Sequence, residues 1–110
     1  MDRLMSMRVF QTVIDQGGFA AAARALDMSS AAVTRLIADL EEYLGTRLLH
    51  RTTRRVSLSP AGETYLGRVR DILQDIDAAH EAASSQTHEL SGVLRVLAPP
   101  VLASHVLAPL

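Results

Sequence analysis

Apolar residues recur every three or four positions from the start of the chain. Leu4, Met7, Phe10, Val13, Ile14 and Gly17 form one helical stripe, with Asp2 placed to cap its first turn and Gly17-Gly18 to stop it. A short second helix fits Phe19 to Leu26, an alanine-rich run whose small side chains let another helix come close. The break Asp27-Met28-Ser29 follows. A third helix then opens behind Ser29, a good N-cap, and runs to about Leu44 before Gly45. Its apolar stripe is Val33, Ile37, Leu40 and Leu44, with Leu36 at the edge.

The period then changes. Arg47–Arg51 and Val56–Leu58 read as short strands, joined by a loop that lacks the Asn-Gly signature of a tight hairpin. Ser59-Pro60 opens a long helix: serine caps, and proline at the first helical position has no N–H to waste. Glu63 in the first turn suits the helix dipole. This helix is expected to end near Ser84-Ser85, with Leu66, Val69, Leu73, Ile76, His80 and Ala83 as a heptad seam widened by Tyr65, Ile72 and Ala79. Beyond Gly92 come a strand-like run, Val93–Ala98, then Pro99-Pro100, then apolar sequence to Leu110. An apolar stretch that stops there reads as part of a longer protein.

Composition narrows the classes. With 110 residues there is room for one small domain and an appendage; 48% apolar and 21% charged residues exclude disorder by composition. The absence of cysteine excludes disulfide and thiolate chemistry. The N-terminal run carries Asp2, Arg3 and Arg8 and does not read as a signal peptide, while Arg95, His105 and three prolines keep residues 90–110 from spanning a bilayer as a plain helix. A cytoplasmic location is the expectation. The net charge of −1 hides an uneven layout: residues 46–70 hold six Arg and one acid, whereas acids outnumber Arg on both sides. A local positive block steers polyanions whatever the whole-chain charge, because distant acids are screened within about 10 Å.

The third helix carries the most specific chemistry. Its apolar side is held against the second helix by Ala23, Leu26, Met28, Val33 and Ile37, as a helix-turn-helix requires. On the other side, beginning at Ser29, lie Ser30, Ala31, Thr34, Arg35 and Ala38. Small residues permit close approach to a major groove, hydroxyls reach bases or phosphates, and arginine can pair with guanine. The loop Arg51-Thr52-Thr53-Arg54-Arg55 adds three guanidiniums and two hydroxyls, suited to phosphates and a narrow minor groove. Each feature alone could be an ordinary solvated surface; in tandem they favour DNA. The long helix, about 38 Å for 25 residues, exceeds what the preceding domain can cover, so a second copy is the simplest cover for its seam. His80 then reads as an interface histidine rather than a ligand.

The run GGFAAAARALDMSSAAVTRLIADLEEYLGTRLLHRTTRRVSLSPAGETYL closely resembles the N-terminal segment of LysR-type transcriptional regulators, and residues 89–110 resemble the start of that family's regulatory domain. The resemblance implies a mainly α fold: a winged helix-turn-helix over 1–59, a linker helix over 60–87 that pairs antiparallel in dimers, and at 88–110 a hinge with the truncated start of an effector-binding domain. It implies base and phosphate contacts by Ser29, Ser30, Ala31, Thr34 and Arg35, and a wing of Arg51, Thr52, Thr53, Arg54 and Arg55. It implies a dimer interface through Tyr65, Leu66, Val69, Ile72, Leu73, Ile76, His80 and Ala83. The chain departs from the family at Ser30, often Gln, which removes a bidentate adenine reader. It departs at Leu49, often Phe, and at Asp27, where Gly or Asn is comfortable. The expected partners are double-stranded DNA and a second copy, with a tetramer open to a full-length protein. No metal or cofactor is expected, and a small-molecule effector only in a longer parent. The competing class is an interaction module that oligomerises through the long helix. An enzyme is disfavoured by the lack of a phosphate loop, GxSxG, HExxH or cysteine.

Overall fold

The computed structural model describes residues 1–51 and 55–90, with side chains described as far as Ser85. The elements are α1 (Arg3–Gln16), α2 (Phe19–Leu26), α3 (Ser30–Leu44), β1 (Leu49–Arg51), β2 (Val56–Leu58) and α4 (Pro60–Leu90). Expected strand-like residues 93–98 and the loop residues Thr52, Thr53 and Arg54 lie outside the described residues.

Local chemistry sets the ends of the helices. The Asp2 carboxylate accepts from the Met5 amide at 3.0 Å, and Gly17 closes α1 in the left-handed region, its N–H reaching the carbonyls of Val13 and Ile14. Ser29 caps α3 by accepting from the Ala32 amide at 3.0 Å, and Gly45 ends it at φ 71°. The core of the first unit, Met1–Asp71, is built from Val9, Phe10 and Val13 of α1, Ala22 and Ala23 of α2, and Val33, Ile37 and Leu40 of α3. Leu48, Leu49, Leu66 and Val69 close it from the hairpin and α4. Phe10 meets the Tyr65 ring at 5.5 Å between centroids.

Several sequence expectations shift. In α1 the inward face turns on Ser6, Val9, Phe10 and Val13, whereas Leu4 is 40% exposed. A strict apolar count misses Ser6, whose hydroxyl is satisfied by donating to the Asp2 carbonyl oxygen at 2.9 Å, so its small volume can be buried at little cost. Leu44, expected in the α3 stripe, is 36% exposed in the last turn. The first strand begins at Leu49 rather than Arg47. The long helix continues to Leu90, 31 residues rather than about 25, because nothing in Ser84–Leu90 breaks a helix before Ser91-Gly92.

The expected seam of α4 divides by burial. Leu66, Val69 and Leu73, expected at a dimer interface, are already buried within the chain, at 8%, 0% and 2% exposure. Tyr65 and Ile76 are half-buried, and Ile72, His80 and Ala83 are exposed. In the second unit, Ile72–Leu110, Ser84 is buried on the same helix.

The hairpin pairs antiparallel, Leu49 with Leu58, His50 with Ser57 and Arg51 with Val56. Its base is locked to α4 through Ser59. The Ser59 N–H donates to the Leu48 carbonyl oxygen at 2.9 Å, its hydroxyl donates to the Arg47 carbonyl oxygen at 2.6 Å, and the same hydroxyl oxygen accepts from the Gly62 amide at 2.9 Å. Gly62 has no room for a side chain: a Cβ there would overlap the Leu48 carbonyl oxygen. Outside the hairpin, α4 is tied to α1 by Arg70, which donates to Asp15 at 2.7 Å and 3.4 Å. The Asp15 hydrogen bond raises the Arg70 pKa, outweighing the opposing effect of desolvation.

Candidate nucleic-acid interface

The turn between α2 and α3 sets the site. Asp27 takes φ 55° and ψ 48°, in the left-handed region that Asp tolerates better than most residues. This conformation lets the Met28 amide reach back to the Ala23 carbonyl at 2.9 Å, and α3 starts after only three intervening residues. Ala23 is 3% exposed, so the two helices meet over a methyl group, as the sequence implied.

With Val33, Ile37 and Leu40 turned into the core, the remaining side of α3 faces outward. Ser30, Ala31, Thr34, Arg35 and Ala38 are all exposed. Among the described residues, this surface of α3 is exposed. Ser29 is exposed too, but its oxygen is engaged as the α3 cap.

In the hairpin, the structure gives Arg51 surroundings that sequence alone did not suggest. Its Nη2 donates to Glu41 Oε1 at 3.2 Å, and its guanidinium lies 5.0 Å from the centroid of the Phe19 ring. Glu41, in the last turns of α3, also accepts from the Leu48 amide at 2.8 Å and the Leu49 amide at 3.2 Å through Oε2. One carboxylate thus holds the start of β1 and the side chain at its far end. Glu41 and Phe19 were missed because their roles depend on contacts with Arg51 and the hairpin, distant in sequence. The only sequence signal was the LEEYLG stretch, where Glu41 falls seven residues after Thr34 on the same helical stripe. Arg55, on the other side of the loop, is exposed. Among the described residues, no group of three or more His, Asp or Glu is placed to hold a metal ion, and no helix is long and apolar enough to cross a membrane.

A trihelical core, a tight turn before an outward-facing third helix and a two-stranded hairpin define a winged helix-turn-helix protein. The match to known sequences gives the family: residues 4–63 fit the bacterial regulatory helix-turn-helix protein, lysR family, and the chain belongs to it. Among curated relatives, the HTH-type transcriptional regulator CrgA of Neisseria meningitidis is 44% identical over 94% of this chain and 35% of its own length. The HTH-type transcriptional activator AaeR of Escherichia coli is 36% identical over the whole chain and 36% of its own length. The chain therefore spans about a third of the length of the curated relatives it matches. Among solved structures, the CbnR DNA-binding domain in complex with DNA aligns with a TM-score of 0.71 and 30% identity, covering 77% of this chain and 98% of that one. The BenM DNA-binding domain on benA site 1 DNA aligns with a TM-score of 0.70 and 30% identity, over 74% of this chain and 94% of that one.

Proposed function

We propose that this chain is the DNA-binding part of a transcriptional regulator, binding a pseudo-palindromic operator as a homodimer. The observation that carries the reading is the uncovered side of α3, Ser30, Ala31, Thr34, Arg35 and Ala38, opposite a packed apolar side. A helix with that division can enter a major groove while remaining anchored to its domain. The hairpin arginines Arg51, Arg54 and Arg55, with Thr52 and Thr53, grip the flanking backbone and minor groove. Solved relatives with this fold in complexes with DNA support the same use of it.

In the dimer, the exposed members of the α4 seam, Ile72, His80 and Ala83, together with half-buried Tyr65 and Ile76, meet the second copy. The protein acts in the cytoplasm, performs no catalysis and needs no cofactor in this region. A small-molecule effector and tetramer formation belong to a longer polypeptide. Selection of bound duplexes from random DNA, with sedimentation of the complex, tests binding, specificity and symmetry together. Enrichment of dyad-related sites by a dimer is the expected result. A dimer that enriches no sequence would instead favour an interaction module.

A further inference from the structure

Glu41 poses a problem for a DNA-binding surface. It follows Ala38 by three residues and Thr34 by seven, so it continues the stripe that faces the groove. A carboxylate there would repel phosphates. Its side chain is only 13% exposed, however, and three donors converge on it: the Leu48 and Leu49 amides on one oxygen and Arg51 on the other. Arg51 stays 34% exposed while its guanidinium packs against Phe19, the first residue of α2. The acid is therefore covered, and the cation that covers it remains reachable at the loop end of β1.

We infer that Glu41 is a positioning residue of the DNA interface: its carboxylate fixes the hairpin against α3 and orients Arg51 toward a backbone phosphate, while Arg51 neutralises an acid that would otherwise repel DNA. The inference rests on the proposed DNA binding and deepens it. The amides set where β1 starts, and the ion pair sets where the cation at its far end sits. Wing and recognition helix consequently move as one body against the duplex. Orientation of this kind contributes to discrimination more than to raw affinity, because a displaced wing can still find a phosphate on any sequence.

The test uses the full 110-residue chain, a duplex recovered by selection from random DNA, and a scrambled duplex, titrated at several NaCl concentrations. Glu41→Gln keeps an oxygen for the two amides but offers Arg51 no anion, so the fold is retained, as circular dichroism will report. For this variant, affinity for scrambled DNA should hold or rise while the preference for the selected duplex falls about fivefold, the scale of coupling between contacting charges. Arg51→Ala should weaken binding to both duplexes and lower the salt slope by about one. The double variant should bind scrambled DNA about threefold or more tighter than Arg51→Ala alone, because the exposed acid is gone. A merely structural role would weaken both duplexes alike and would give no such rescue. An unchanged preference in Glu41→Gln, or a double variant no tighter than Arg51→Ala, overturns the inference about Glu41 and leaves DNA binding standing. A wild-type chain that binds neither duplex overturns both.

Discussion

Alanine at position 62 would place a methyl group into the Leu48 carbonyl oxygen, 3.0 Å from the Leu48 carbonyl carbon and 3.1 Å from Leu58 Cδ2. Backbone cannot rotate out of the way as a side-chain tip can. Relief requires the first turn of α4 to draw back from the hairpin. That movement strains the Ser59 amide bond to Leu48 at 2.9 Å and the Ser59 hydroxyl bond to Arg47 at 2.6 Å. Two such hydrogen bonds contribute about 2 kcal/mol together, and overpacking alone costs about 1–3 kcal/mol. Against this, alanine gains about 1 kcal/mol over glycine as a helix former. The net expectation for Gly62→Ala is a loss of about 2–4 kcal/mol, a fall in Tm of roughly 10–30 °C for a domain of this size. Gly67, about one and a half turns further along the same helix, has open space where a Cβ would stand, with nothing within 4 Å, and no positive φ. Gly67→Ala should raise Tm by a few degrees, from about 0.5–1 kcal/mol. Thermal unfolding of both variants at one fixed protomer concentration removes the mass-action contribution of dimer formation. A Gly62→Ala protein that melts with the wild type would show that α4 does not abut the Leu48 carbonyl, and would refute this account of the hairpin–helix junction.

Arg35→Ala should reduce the affinity ratio between selected and scrambled duplex by about tenfold or more, the cost of about 1–3 kcal/mol for one bidentate base contact; competition binding reads this directly. Ser29→Ala removes the acceptor for the Ala32 amide and should cost about 1 kcal/mol in urea unfolding, with little change in m-value. The Tyr65 phenol is pushed above its ordinary pKa of 10.0, first by burial and then by the charge of Tyr43. The folded state thus favours the protonated phenol, so stability is present below about pH 10 and falls as pH rises through the higher folded-state pKa. Tyr65→Phe should flatten that alkaline decline in unfolding curves measured between about pH 9 and 11. An equally steep decline in the variant would show that Tyr65 is not its source.

Much of the architecture was legible along the chain because its causes are local. Asp2, Ser29 and Ser59 sit where their side chains can accept amide hydrogens three residues on, and Gly17 and Gly45 sit where a left-handed turn must close a helix. The period of three and four assigned Val33, Ile37 and Leu40 to one side of α3, which in turn assigned Thr34 and Arg35 to the other.

What tertiary structure decided involves residues far apart in sequence. Periodicity marks Leu66, Val69 and Leu73 as one apolar seam, but it cannot distinguish burial in the chain from burial between chains; the structure buries all three in the chain itself. Nor does sequence reveal that Gly62 is held to a single hydrogen by the Leu48 carbonyl, fourteen residues earlier, or that Arg51 lies between Glu41 and Phe19. Helical caps and faces follow from residues within one or two turns, whose geometry the backbone repeat supplies. The partner of a charge, the occupant of a cleft and the cover of an apolar seam depend on where separate segments come to rest, and only packing in three dimensions determines that.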